Sequence, residues 1–161
     1  MMGPQYPRLT SLDFLEVCLP TTAAFYHYWD SKRQGRAMPA RADLDPTEMR
    51  HWLPGIILVD VQRDPFRLTY RVVGTRSVSI RSAEVTGKPV EEGMHGEKLV
   101  HVMENYRLVI EERKLVYDWD GTANRDGYTL STEVLMLPLS SRGDLVDRVI
   151  SYIEDRPFQA G

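Results

Sequence analysis

The hydrophobic period of this chain changes twice, and that change limits the folds open to it. Leu99, Val102, Met103, Tyr106, Val109 and Ile110 recur at helical spacing within a segment from Gly96 to Arg113. On its N-terminal side Phe66, Leu68, Tyr70 and Val72 alternate with Arg67, Thr69 and Arg71. On its C-terminal side alternation returns three times: Leu115, Tyr117, Trp119; then Tyr128, Leu130, Thr132, Val134, Met136; then Val146, Arg148, Ile150, Tyr152. With the compact run Ile56 to Val61, this makes five strands in two groups around one long helix. Asp64-Pro65 marks the turn of the first hairpin, Asp120-Gly121 and Asp126-Gly127 flank the next turn, and Arg142-Gly143-Asp144 makes the last, so neighbouring strands join directly. The expected class is α+β: an antiparallel sheet with its helices packed on one face. A mass of 18.5 kDa supports one core and not two.

Helical patterns also fill the N-terminal part. Leu12, Leu15 and Leu19 share a helical face, and Pro20 stands where a first-turn proline is tolerated. Between Thr21 and Arg33 a stripe of Phe25, Tyr28, Trp29 and the stem of Lys32 is expected, with Gly35 ending the helix. Asp45-Pro46-Thr47-Glu48 reads as a further helix start, with Met49, Trp52 and Leu53 on its apolar face and Pro54-Gly55 as its stop. Gly74 supplies backbone freedom for a sharp turn, and Thr75 an N-cap hydroxyl. Residues 76–95 read as short helical pieces.

Charge and composition exclude several classes. The net charge of −3 is wrong for a protein that binds by neutralising phosphates. The basic run Lys32, Arg33, Arg36, Arg41 is interrupted by Asp30 and Asp43 and has no interleaved aromatics, so no nucleic-acid partner is expected. The single cysteine, Cys18, leaves no disulfide framework and no cysteine-rich zinc site. The most apolar stretch, Ile56-Ile57-Leu58-Val59, is far too short to span a bilayer. Asp13 and Glu16 break the only segment resembling a signal-peptide core. A cytoplasmic protein without a membrane partner is expected.

The order of elements and several motifs resemble the PAS domain family, more narrowly the stand-alone bacterial PAS proteins with a long N-terminal helical lead-in. The motifs are residues 37–46 (Ala-Met-Pro-Ala-Arg-Ala-Asp-Leu-Asp-Pro), Leu53-Pro54, residues 58–61 and 66–75, Val85-Thr86-Gly87-Lys88-Pro89 and Leu137-Pro138-Leu139-Ser140. The resemblance covers residues 20 to 155. It implies a five-stranded sheet of order 2-1-5-4-3, helices over one face, a small pocket between them, and signal perception or protein–protein regulation without catalysis. The expected division is a lead-in at 1–45, a PAS-like domain at 46–155 and a tail at 156–161, with the lead-in helices outside the sheet.

The residues carry little that points to catalysis. There is no nucleophile elbow, no His-Glu-x-x-His, no phosphate loop and no dinucleotide fingerprint. Asp118 and Asp120 are spaced for one strand face, but the apolar set Leu115, Tyr117, Trp119 places both on the solvent side. His101 falls on the polar face of the long helix beside Glu97, Glu104 and Asn105, which argues against haem ligation, and His95 reads as a turn or cap residue. Cys18 lies in the lead-in, which argues against a cysteinyl-flavin adduct. No metal site is expected. The expected ligand pocket gathers Tyr70, Val72, Met103, Tyr106, Ile110, Tyr117, Trp119 and Leu130 in one helix–sheet cleft. Apolar positions Val59, Val61, Leu135, Leu137, Val149 and Ile153 are assigned to the opposite face. Leu15, Phe25, Tyr28 and Trp29 are expected to cover that face across a homodimer. A sensory or regulatory domain acting through a small ligand and a signalling-protein partner is the leading reading. A small enzyme or metabolite carrier using the same cleft is the alternative.

Overall fold

The period-two runs form β1 (Ile56–Gln62), β2 (Arg67–Val73), β3 (Val116–Ala123), β4 (Thr129–Leu139) and β5 (Arg148–Arg156). They pair antiparallel in the order β2-β1-β5-β4-β3, as the resemblance implied. Among the described residues two α-helices accompany them, α1 (Pro20–Arg33) and α2 (Gly96–Glu111). The structure is a computed structural model. It describes residues 8–75, 85–92, 95–123 and 129–156, with the backbone alone at 120–123 and 129–131. Thr75 begins a piece that runs out of the described residues, so its capping role lies outside them, as do the short helices expected over 76–84.

Both faces of the sheet are covered by the chain itself, and this reorders several expectations. Strand register puts Ile57, Ser151, Met136 and Val116 in one row, and Val59 with Val149 and Tyr70 in the next row on the same face. This is the inner face, where α2 lies: Asn105 and His101 of α2 reach Asp118 of β3. The alternate residues Ile56, Tyr152, Leu135 and Tyr117 form the outer face. There Phe14 stacks on Tyr117 at 5.6 Å and Phe25 of α1 meets Tyr152 at 5.5 Å. Of the apolar positions assigned to one outer face, Leu135 and Leu137 lie there. Val59 and Val149 lie inside, and Val61 and Ile153 follow the inner register opposite Leu68 and Val134.

The lead-in therefore packs in cis. Thr22, Phe25, Tyr26 and Trp29 are the buried stripe of α1, one position off the expected set, and Tyr28 turns to the side. Trp29 donates its indole N–H to the Pro138 carbonyl at 3.0 Å. Tyr28 donates to Glu48 at 2.8 Å and accepts the Asp45 N–H at 3.0 Å. The expected dimer surface is thus corrected. Phe25 and Trp29 are buried on their own sheet, Leu15 is half-buried beside them, and Tyr28 is held by the 45–48 turn. Pairing two copies through this stripe would first require stripping α1 from the core, an unfavourable exposure of several aromatic rings.

Two segments expected as helices are shorter structures. Leu12–Glu16 is a single 3-10 turn that buries Phe14 and leaves Leu12 exposed. Residues 45–52 are turns leading into a 3-10 turn at Leu53–Gly55. Asp45 does accept the Thr47 N–H at 2.9 Å, as an N-cap does. Pro54 and Gly55 follow too soon for that start to propagate. Gly74 is required for a reason other than turn freedom: a Cβ there would lie 2.4 Å from the Pro54 carbonyl oxygen.

Both sheet edges are partly covered. Gly87-Lys88-Pro89 lies along β2, with Tyr70 N–H to Lys88 O at 3.0 Å and Gly87 N–H to Tyr70 O at 2.7 Å. Gly87 adopts φ 86°, which suits glycine. On β3, Leu9 exchanges two hydrogen bonds with Tyr117. Such cover removes a template for strand addition.

Candidate functional site

The eight residues expected in one cleft divide between the two faces. Tyr70, Met103, Tyr106 and Ile110 are on the α2 side; Tyr70, Tyr106 and Ile110 are buried and Met103 is half-buried. Tyr117 and Trp119 follow the outer register instead; Tyr117 meets Phe14 of the lead-in, and Trp119 lies under the Arg156 guanidinium of β5 at 4.8 Å. Val72 pairs with Leu58 after a register shift at Leu58/Val59, and that shift turns it outward to 42% exposure. The side chain of Leu130 is outside the described residues, as is that of Asp120. The single cleft is thereby corrected: alternation in β3 could not reveal which face α2 covers, because both faces are apolar.

On the α2 side Met103, Tyr106 and Ile110 line a recess, and Tyr70 does not. Met103, Tyr106, Arg107, Ile110 and Glu111 of α2 face Phe66 of the β1–β2 turn around about 180 Å³. A second hollow of about 400 Å³ adjoins it, sharing Phe66, Ile110 and Glu111. Phe66 is 55% exposed, although it was read as a strand position. Its strand begins only at Arg67, so the ring stands at the mouth of the recess.

Deeper along α2 lies a polar group that the sequence reading placed in solvent. Asp118 is buried and accepts from Asn105 Nδ2 at 3.0 Å and from the Trp119 N–H at 2.8 Å, and His101 Nε2 contacts its Oδ2. Arg8 donates to His101 Nδ1 at 2.9 Å. An arginine can only donate, so Nδ1 is the acceptor and the ring proton sits on Nε2, directed at Asp118. Both ring nitrogens are engaged by protein groups, which leaves no lone pair for proton abstraction or ligation in this arrangement. Asn105 Oδ1 is buried and has no hydrogen-bond partner among the described residues. The helix buries Tyr106, Val109 and Ile110 of the expected stripe, leaves Leu99 half-buried, and adds Asn105, which was read on the polar face. His101 and Asn105 stand four residues apart, and Asp118 sits mid-strand between apolar neighbours. That spacing was the available signal.

The outer face has its own polar centre. Glu133 is wholly buried, accepting the Leu19 N–H at the start of α1 at 3.0 Å and the Tyr117 hydroxyl at 2.8 Å. Arg156 approaches it at 3.5 Å. Burial, then Glu133, push the Cys18 thiol up to about 11, and the same two causes hold the Tyr117 hydroxyl well above its ordinary range. Cys18 is thus on the lead-in side of the sheet, away from the recess. His95 is exposed at the start of α2 and makes no side-chain cap. Among the described residues no cluster of three His, Cys, Asp or Glu is placed to hold a metal. Lys32, Arg33 and Arg36 of the basic run are paired with Glu48, Asp30 and Asp43.

No helix among the described residues is long and apolar enough to cross a membrane. Among solved structures the chain is similar to the LOV protein of Rhodobacter sphaeroides, at 10% identity and TM-score 0.51, covering 71% of this chain and 69% of that one. It is similar also to the d2 variant of RsLOV, at 12% identity and TM-score 0.51, covering 73% and 72%. A PAS domain from Colwellia psychrerythraea matches at 13% identity and TM-score 0.48, covering 70% and 98%. At these identities the likeness is one of fold. No curated protein sequence matches. The model of the PAS domain family matches residues 17–153, nearly the whole described chain. With the sheet order and the α2 recess in place, this chain belongs to the PAS domain family, whose members are generally sensory and signalling domains.

Proposed function

We propose that this chain is a cytoplasmic sensory or regulatory domain. On this reading it takes a small, largely apolar molecule into the recess between α2 and the β1–β2 turn and reports occupancy to a signalling partner. The observation that carries the reading is the recess itself. Tyr106 and Ile110 of α2 and the half-buried Met103 make an apolar wall, and Phe66 stands exposed across from them. Concave apolar sites with a few placed polar groups are the usual form of small-molecule sites. A sensor needs no catalytic group there, and the nearest histidine, His101, has both nitrogens occupied. That gives the enzyme alternative less support. A cysteinyl adduct is disfavoured because Cys18 lies across the sheet. Pairing of two copies remains part of the proposal, through surface other than the α1 stripe.

Native mass spectrometry of the purified chain, with a thermal-shift screen of small apolar molecules, tests the reading. A retained or stabilising ligand whose effect disappears in Met103→Trp supports it. A chain with no adduct and no stabilising ligand overturns it.

A further inference from the structure

The hollow adjoining the recess holds two arginines, Arg63 and Arg113, that form no ion pair among the described residues. Arg63, after β1, donates one N–H to the Val146 carbonyl at 2.8 Å. Arg113, after α2, donates one to the Asp144 carbonyl at 3.3 Å. Among the described residues neither guanidinium has a carboxylate partner. Each has five N–H donors, so most of them are uncommitted. The two arginines come from different elements, and both line the same hollow with Phe66, Ile110 and Leu145. Phe66 and Leu145 are 55% and 53% exposed, an unusual exposure for two large apolar side chains flanking one hollow.

Two acids share the lining. Glu111 is already drawn to Arg107 at 3.5 Å. Asp144 is exposed, and its backbone carbonyl, not its carboxylate, receives Arg113. The field at the hollow therefore suits a singly charged anion, while a dianion would be repelled by Glu111 and Asp144.

We propose that the ligand of this site is an amphipathic monocarboxylate, its apolar body against Phe66, Ile110 and Leu145 and its carboxylate received by Arg63 and Arg113. This rests on the reading of the recess as the ligand site, and it names the ligand's class. A planar carboxylate accepts parallel N–H donors from a guanidinium, a charge-assisted pairing that a neutral amide does not reproduce. The hollow's volume of about 400 Å³ lies within the usual range for small-molecule sites, about 300–1,000 Å³.

The test titrates the full chain with octanoate, octanamide and octyl phosphate, following by NMR the methyl signal of Ile110, which lines both the recess and the hollow. Octanoate should bind about tenfold tighter than octanamide, a preference that falls away in the double variant Arg63→Met, Arg113→Met. Both arginines are exposed, so the variant keeps the fold, and an unchanged thermal midpoint checks this. Equal binding of octanoate and octanamide overturns the carboxylate class but leaves the recess as a ligand site. Tighter binding of octyl phosphate overturns the single-charge argument. No shift at Ile110 with any of the three overturns the recess reading itself.

Discussion

The indole of Trp29 donates to the carbonyl of Pro138 at 3.0 Å, which fastens α1 to β4 of the same chain. The bond lies in the outer-face core, beside Tyr26 and within reach of the Arg33 guanidinium. It turns what reads as a lead-in into the second cover of the sheet. Trp29→Ala should lower stability by about 3–5 kcal/mol, since a large buried ring is removed. Trp29→Phe should cost less, with about 1 kcal/mol from the lost hydrogen bond. Denaturant midpoints at constant slope measure both. A loss for Trp29→Ala below about 1 kcal/mol would mean that α1 leaves the sheet in solution.

Gly74→Ala should destabilise by about 1–3 kcal/mol, because the added methyl meets the backbone oxygens of Leu53 and Pro54 at 2.5 and 2.4 Å and backbone does not yield cheaply. Urea unfolding of the variant gives the number. A neutral result would contradict the close approach of the β2 end to the 53–55 turn.

Asp118→Ala removes the acceptor for His101, Asn105 and the Trp119 N–H together, and should cost about 2 kcal/mol or more. His101→Ala should cost less, since its side chain is half exposed and the other two bonds persist. If the order were reversed, the polar group under α2 would be organised by the histidine and not by the aspartate.

The pH behaviour of Cys18 reports on the lead-in. A thiol at about 11, against an ordinary 9.0, carries roughly a hundredth of the thiolate at pH 8, so alkylation by iodoacetamide should be slow and accelerate toward pH 11. Its folded value is raised, so it contributes stability that is complete below about pH 9 and lost as pH rises through about 11. Glu133→Gln should bring the thiol only part of the way down, because burial is the larger cause. Fast alkylation of the native chain at pH 8 would show that the Cys18–Glu133 packing opens readily.

The regularly repeating elements were legible from the residue pattern. The switch from helical to alternating period placed α2 between two strand groups, and the hairpin residues required neighbouring antiparallel strands. Family resemblance then supplied the order 2-1-5-4-3. Periodicity is a local property and survives any arrangement of neighbours. Asp45 could likewise be read as a cap, since capping depends on a few adjacent residues.

Which apolar face each strand turns to which helix became visible in the packed fold alone. A strand buried on both faces has no polar side to mark its orientation, so Tyr117 and Val116 are equally buried while facing opposite covers. The same ambiguity placed Asp118 in solvent on paper and beneath α2 in the fold. It also left Phe25 and Trp29 open to a second chain until α1 was seen against β4 and β5. Burial of a stripe is fixed by the surface that meets it, and here that surface is β4 and β5 of the same chain.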